Sequence, residues 1–213
     1  MLFQLGCEGG DDGDDIPTCS GTFKGCGGDL TGKWSIDGLC IEGDMKSLMA
    51  AAASSEDLPP ECSDLFQSMS VEMSGTIEYA NGNQISDVST TMSIKFKYTS
   101  ACLSAQSGLS IKMTQSVCDA FESTVNSNGG DDMKLTTSCS FSTSCNCTLT
   151  MSGHSQETIG YTVNGSILTT DDGKKAEYCV SGKNLTIREQ SDDGPAGQTK
   201  LHRISSGHMK ESE

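Results

Sequence analysis

Apolar and polar residues alternate along most of this chain. Over 71–79, Val71, Met73, Ile77 and Tyr79 fall on one face, and Glu72, Ser74, Thr76 and Glu78 on the other. A period of two marks a strand with one buried face, because successive side chains point to opposite sides of a sheet. Asn81-Gly82 follows, a pair suited to the positive φ angles of a two-residue hairpin turn. Beyond it, Val88, Thr90, Met92, Ile94, Phe96 and Tyr98 alternate with Ser89, Thr91, Ser93, Lys95 and Lys97, the clearest strand in the sequence. The rhythm returns in 133–141, 145–151, 159–167, 176–180 and 185–187, with a short last strand near 199–204. Asn128-Gly129-Gly130-Asp131, Asp171-Asp172-Gly173 and Ser181-Gly182-Lys183-Asn184 supply turn chemistry between them.

Two regions break the alternation. Residues 44–53 and 61–69, around Pro59-Pro60, read as short helices. In 108–126, Met113, Val117, Phe121 and Val125 recur every four residues, a helical stripe that packs onto the protein. The predicted class is mainly β: a closed antiparallel meander barrel of about eight or nine strands with short helical insertions. A β-sandwich is the alternative, since both architectures bury one face of each strand.

Composition narrows the setting. The 213 residues carry 14 basic and 29 acidic side chains, a formal charge of −15. Nucleic acid and anionic membrane surfaces need clustered Lys and Arg, so neither is expected as the main partner. Leu, Ile, Val and Phe are sparse for a folded domain of this charge. Eleven cysteines offset that deficit. Cys19, Cys26, Cys40, Cys62, Cys102, Cys118, Cys139, Cys145, Cys147 and Cys179 would form five bridges in an oxidising compartment. At least one should pin the helical insertion through Cys102 or Cys118. Cys145 and Cys147 share a strand face and should each bond a neighbouring element.

Cys7 is the odd cysteine. It follows Leu2-Phe3-Gln4-Leu5-Gly6 and precedes an acidic, glycine-rich stretch. This resembles the end of a bacterial lipoprotein signal, in which the cysteine takes the lipid. Six preceding residues are too few for a full leader with an apolar segment of about 7–15 residues. The alternative is an ordinary disulfide-bonded Cys7. The expected organisation is a signal remnant and lipidation site over 1–7, a flexible acidic tether over 8–28, the β domain over 29–206 and a flexible tail over 207–213.

The first strand reads Leu30-Thr31-Gly32-Lys33-Trp34-Ser35-Ile36 and holds the sole tryptophan. Gly-x-Trp at the start of an antiparallel meander resembles the lipocalins, in which the Trp closes the barrel floor under a basic residue from the last strands. Gly32 and Trp34 match that motif. Arg188 and Arg203 are the only arginines, both late in the chain, and either could stack on the indole for about 0.5–2 kcal/mol. A broader likeness is to lipid-anchored, cysteine-rich, lipocalin-like bacterial proteins. It rests on Cys26-Gly27-Gly28-Asp29, on Trp34 to Cys40, and on Tyr178-Cys179-Val180-Ser181-Gly182. That likeness implies an outer-membrane-anchored address and a barrel, and no particular chemistry.

Catalytic signatures are scarce. His154, His202 and His208 are scattered, and no nucleophile elbow, zinc-protease helix or phosphate loop occurs. The expectation is therefore not an enzyme, with no cofactor and no metal. Paired Asp residues at turns suit hairpin tips better than calcium. The cysteine spacing lacks zinc-ribbon pairs, and the methionines sit on apolar faces where they fill cores rather than bind copper. Two functions remain. In one, the lipid-anchored barrel carries a small apolar ligand against Val71, Met73, Met92, Ile94, Phe96, Tyr98, Tyr161 and Val163. In the other, a filled barrel serves as a structural or surface-contact module of the cell envelope. The chain is expected to act as a monomer that meets the membrane only through its lipid.

Overall fold

The computed structural model describes residues 16–43, 58–127, 134–189 and 196–204. Within them, nine antiparallel strands make one sheet. They are β1 (Gly32–Ile41), β2 (Phe66–Ala80), β3 (Asn83–Tyr98), β4 (Lys134–Phe141), β5 (Cys145–Asn164), β6 (Ile167–Thr170), β7 (Lys175–Ser181), β8 (Asn184–Glu189) and β9 (Gly197–Arg203). Helices α1 (Ser100–Ser107) and α2 (Gln115–Asn126) connect β3 to β4. The spatial order is β3-β2-β1-β9-β8-β7-β6-β5-β4, and β3 pairs with β5 as well. Hydrogen bonding therefore runs round a ring of eight strands, with β4 attached outside it. This is one sheet, not the two of the sandwich alternative.

β5 makes this arrangement possible. Its first half, Cys145–Ser152, pairs with β4, and its last residues, Tyr161–Asn164, pair with β6 along the same edge. The other edge runs against β3 from Cys145 to Gly160. The sequence reads as two strands here, 145–151 and 159–167, because Ser152–Glu157 is nearly all polar. Continuous pairing with β3 makes it one strand of 20 residues. The Asn81-Gly82 turn forms as the sequence predicts, with φ of 52° and 75°.

β2, β3 and β5 outrun the ring. Their far ends, with β4, form a four-stranded extension whose apolar face continues the ring's inner face. Register sets Val71 beside Met92 and Met92 beside Met151, with Met69, Ile94 and Leu149 in the next row. The helices cover only the tip. Met113 and Cys118 are buried there with Cys145 and Cys147, against Phe96, Tyr98 and Phe121. Of the helical stretch predicted over 108–126, only Gln115–Asn126 is helix, and the other helix, Ser100–Ser107, lies before it. Gly108, at φ 69°, ends α1, and the Thr114 side chain accepts from Val117 N to begin α2. Met113 precedes that helix, and its stripe-mates Val117, Phe121 and Val125 are half-buried along it.

The predicted helix over 61–69 is also replaced. Pro60–Cys62 makes one 3-10 turn, and β2 begins at Phe66. A bulge between Phe66 and Ser68 inserts an extra residue, so Phe66 and Met69 share a face three positions apart. That spacing imitates a helix in sequence. The expected helix over 44–53 lies outside the described residues.

The tether expected over 8–28 ends earlier than predicted, because 16–28 packs on the sheet. β1 leaves β2 after Ser35, and residues 16–19 fill the gap. Ile16 N donates to Met69 O, Cys19 N to Ile41 O, and Ile41 N to Pro17 O. Ile16 is buried with Ile41 against Met69 and Val71. Further on, Cys26 N and Gly27 N donate to Tyr178 O, and the Tyr178 hydroxyl donates to Gly28 O at 3.1 Å. Gly27 has φ 70°, and a side chain there would strike Gly165 O. Glycines that read as flexibility in the sequence allow close approach.

Five bridges join the ten predicted cysteines: Cys19–Cys40, Cys26–Cys179, Cys62–Cys102, Cys118–Cys145 and Cys139–Cys147. Two hold the first segment to the ring, two anchor α1 and α2, and one ties β4 to β5. Such a framework belongs to an oxidising compartment outside the cytoplasm. No helix among the described residues is long and apolar enough to cross a membrane. Cys7 and the tail over 207–213 lie outside the described residues.

Candidate ligand-binding cavity

The ring is closed at one end and open at the other. Trp34 and Arg203 are register partners on β1 and β9. Trp34 is fully buried, its indole N–H donating to Leu30 O at 2.8 Å. The Arg203 guanidinium carbon stands 4.5 Å from the ring centroid, and one of its terminal nitrogens donates to Asp29 O. Its Nε is buried without a hydrogen-bond partner among the described residues, which fits a guanidinium held by the indole face. Gly32, two residues before Trp34, pairs with Tyr79. Arg188 is elsewhere. It makes a two-point ion pair with Glu42 and a third contact with Glu177, and Gln198 also donates to Glu42. These contacts hold the Glu42 carboxyl below its usual range, the Arg188 hydrogen bonds first among the causes.

Above the Trp34 floor the core is continuous. Tyr178, Leu185, Leu201, Leu30 and Ile36 pack around the indole. Higher up, a cavity of about 740 Å³ opens. Tyr79, Leu168, Ala176 and Ile187 form its base, with Met73, Ile77 and Ile159 on the walls. Glu157, Thr170, Asp172, Lys174, Lys175, Glu189 and Thr199 line its mouth, and Gln84 lines it deeper, in register with Tyr79 and Ile159. Strand alternation produces this gradient. Glu157 and Ile159 on β5, and Ile187 and Glu189 on β8, each place an apolar residue inside and a carboxylate one step nearer the rim on the same face.

The mouth charges are ordered by the β6–β7 turn. Lys174 Nζ lies 2.8 Å from Asp172 Oδ2, and Thr170 Oγ1 donates to Asp172 as well. Hydrogen bonds from Lys174 and Thr170 pull the Asp172 carboxyl down to about 2, and Asp172 in turn raises Lys174. At the base, burial first, then Tyr161 and Glu189, push the Tyr79 phenol well above its ordinary value. Tyr79 meets Tyr161 edge-on at 5.2 Å.

Of the residues predicted to line the interior, Met73 lines this cavity, and Tyr161 packs against Tyr79 beside it. Val71, Met92 and Ile94 lie on the extension beyond the mouth, and Phe96 and Tyr98 lie under the helices. Val163 is 44% exposed. Sequence reasoning missed Ile77, Tyr79, Ile159, Leu168, Ala176 and Ile187 as wall and base. All six share the inward parity of their strands. What the pattern could not show is where along the long strands the ring closes.

Two other clusters bring reactive side chains together. On the outer face, Ser89 Oγ is 3.2 Å from His154 Nδ1, and His154 Nε2 is 3.6 Å from Asp87. β3 is paired on both edges at Ser89, so its ladder offers no free N–H to hold an oxyanion there. The Cys139, Cys145 and Cys147 sulfurs lie within 4.8 Å of one another, and all three are bonded in the bridges above.

The fold and cavity define a disulfide-stapled antiparallel β domain with a one-ended, partly polar interior. Compared with protein-family models, curated proteins and solved structures, the chain matches none.

Proposed function

We propose that this protein is a lipocalin-like barrel, held outside the cytoplasm by a lipid on Cys7, that binds a small, largely apolar molecule. The observation that carries the reading is the cavity of about 740 Å³ above a sealed tryptophan floor. Ligand sites are concave, mostly apolar and about 300–1,000 Å³, with a few polar groups placed to orient the guest. The base and walls supply the first property and the mouth the second. An open interior also supports this reading over a filled barrel acting only by surface contact.

The test is titration of the full-length protein with an uncharged fluorescent dye. Saturable one-to-one binding, displaced by a neutral long-chain alcohol, is the expected result. A dye signal absent, or rising without saturation, would contradict a ligand-binding interior. For the anchor, mass spectrometry of protein expressed behind a complete signal should show a diacylglyceryl adduct on Cys7. A bridge from Cys7 to any other cysteine would refute it.

A further inference from the structure

The mouth of the cavity is polar in an uneven way. Glu157 and Glu189 line it from β5 and β8, and neither side chain makes an ion pair or hydrogen bond with any described residue. Lys174 lies 2.8 Å from Asp172, and its charge also reaches Glu157 and Glu189. Lys175 also lines the cavity, although its side chain alternates along β7 with those of Ala176 and Tyr178, which are buried. Three carboxylates and two ammonium groups therefore stand at the entrance, and Glu157 and Glu189 have no partner at hydrogen-bond distance among the described residues.

A second observation comes from beneath them. Tyr79 is 1% exposed, lines the cavity and makes no hydrogen bond with a described residue. Its hydroxyl is not one of the fully enclosed orphan atoms, so it meets the open cavity, where a guest can supply the partner. Its oxygen can accept, and its ring, set edge-on to Tyr161, offers a face to positive charge.

We propose that the ligand is an organic cation, an apolar body carrying an ammonium head. Glu157 and Glu189 hold the head at the mouth, and Tyr79 supplies a further acceptor below it. This rests on the ligand-binding reading above and adds the sign of the ligand's charge. A chain of net charge −15 repels anions before they reach the mouth and draws cations toward it. The apolar body then reaches Leu168, Ala176 and Ile187 at the base.

The experiment displaces the bound uncharged dye with three ligands of one chain length: decylammonium, decanol and decanoate. Decylammonium should compete at a concentration about tenfold or more below decanoate, since two carboxylates near a partly desolvated head favour the cation. Raised salt should narrow the gap. In the Glu157→Gln/Glu189→Gln double variant the gap should close while decanol competes as before. Equal potency of cation and anion, a stronger anion, or a gap unchanged in the double variant would overturn the inference and leave the ligand-binding reading standing. Failure of decanol together with the dye would overturn both.

Discussion

Trp34 is one of the largest fully buried side chains of the fold. It fills the closed end, and its indole is held by a hydrogen bond and a guanidinium. Trp34→Ala leaves a large void and should cost about 3–5 kcal/mol in denaturant unfolding. Arg203→Ala should cost less, and the double variant should fall short of the sum because the two side chains share one contact. Emission from Trp34 should be blue-shifted and insensitive to iodide; water-like, freely quenched emission would contradict the sealed floor. The Gly-x-Trp motif and the late arginines made this corner legible in sequence. They left open which arginine stacks, because the last two strands present one arginine each. Arg188 instead serves Glu42. A carboxyl held below its ordinary range stabilises the fold above that range, and the contribution disappears as pH falls through the lowered value. Glu42→Gln should therefore be less stable than the wild type at neutral pH. It should converge with the wild type only in acid, once pH has fallen through that lowered value. Equal stability at every pH would show that the ion pair contributes nothing.

At the scale of elements, the long strands create free edges, and the chain covers them with side chains. β4 is paired on one side only. Along its other edge, Asn126 of α2 exchanges both hydrogen bonds with Thr137, and Glu122 accepts from Cys139 N. A helix thereby caps backbone that would otherwise template pairing with another chain. Asn126→Ala/Glu122→Ala should cost about 1–3 kcal/mol for each backbone group left unpaired. It should also produce aggregates detectable by light scattering at concentrations where the wild type stays monodisperse. Nothing in the sequence announces this role, because Asn126 and Glu122 read as the polar face of an amphipathic helix. Strand identity was far more legible. Val71 to Tyr79 and Val88 to Tyr98 follow period two cleanly, and their hairpin forms where Asn81-Gly82 stands. The errors fall where a backbone irregularity imitates another period, as at the Phe66–Ser68 bulge, or where polar residues line a continuous strand, as in Ser152–Glu157.

For the whole molecule, the bridges compensate for a thin core. Cys26–Cys179 spans 153 positions and fastens the first segment across the ring. Replacing both cysteines with serine should cost about 2–5 kcal/mol and expose the 16–28 backbone to hydrogen exchange; protection unchanged there would mean that Tyr178 and Ile16 suffice. Cysteine count and compartment were readable from the sequence. The connectivity was not, since pairing depends on which strands become neighbours when the ring forms. The same limit governs the candidate site. Inward parity can be read residue by residue, yet the position of the cavity depends on where β5 stops pairing with β4 and starts pairing with β6. That switch separates Met73 and Ile159, at the cavity, from Met92 and Ile94, on the extension. The central claim is that this interior holds a ligand, and Ala176 offers the most direct test. It is 7% exposed at the cavity base, so Ala176→Phe projects a ring into the open volume. Calorimetric titration with decanol should give a saturable one-to-one isotherm for the wild type, with a negative heat-capacity change, and no binding for a folded Ala176→Phe. Equal binding by both proteins, or by neither, would contradict it.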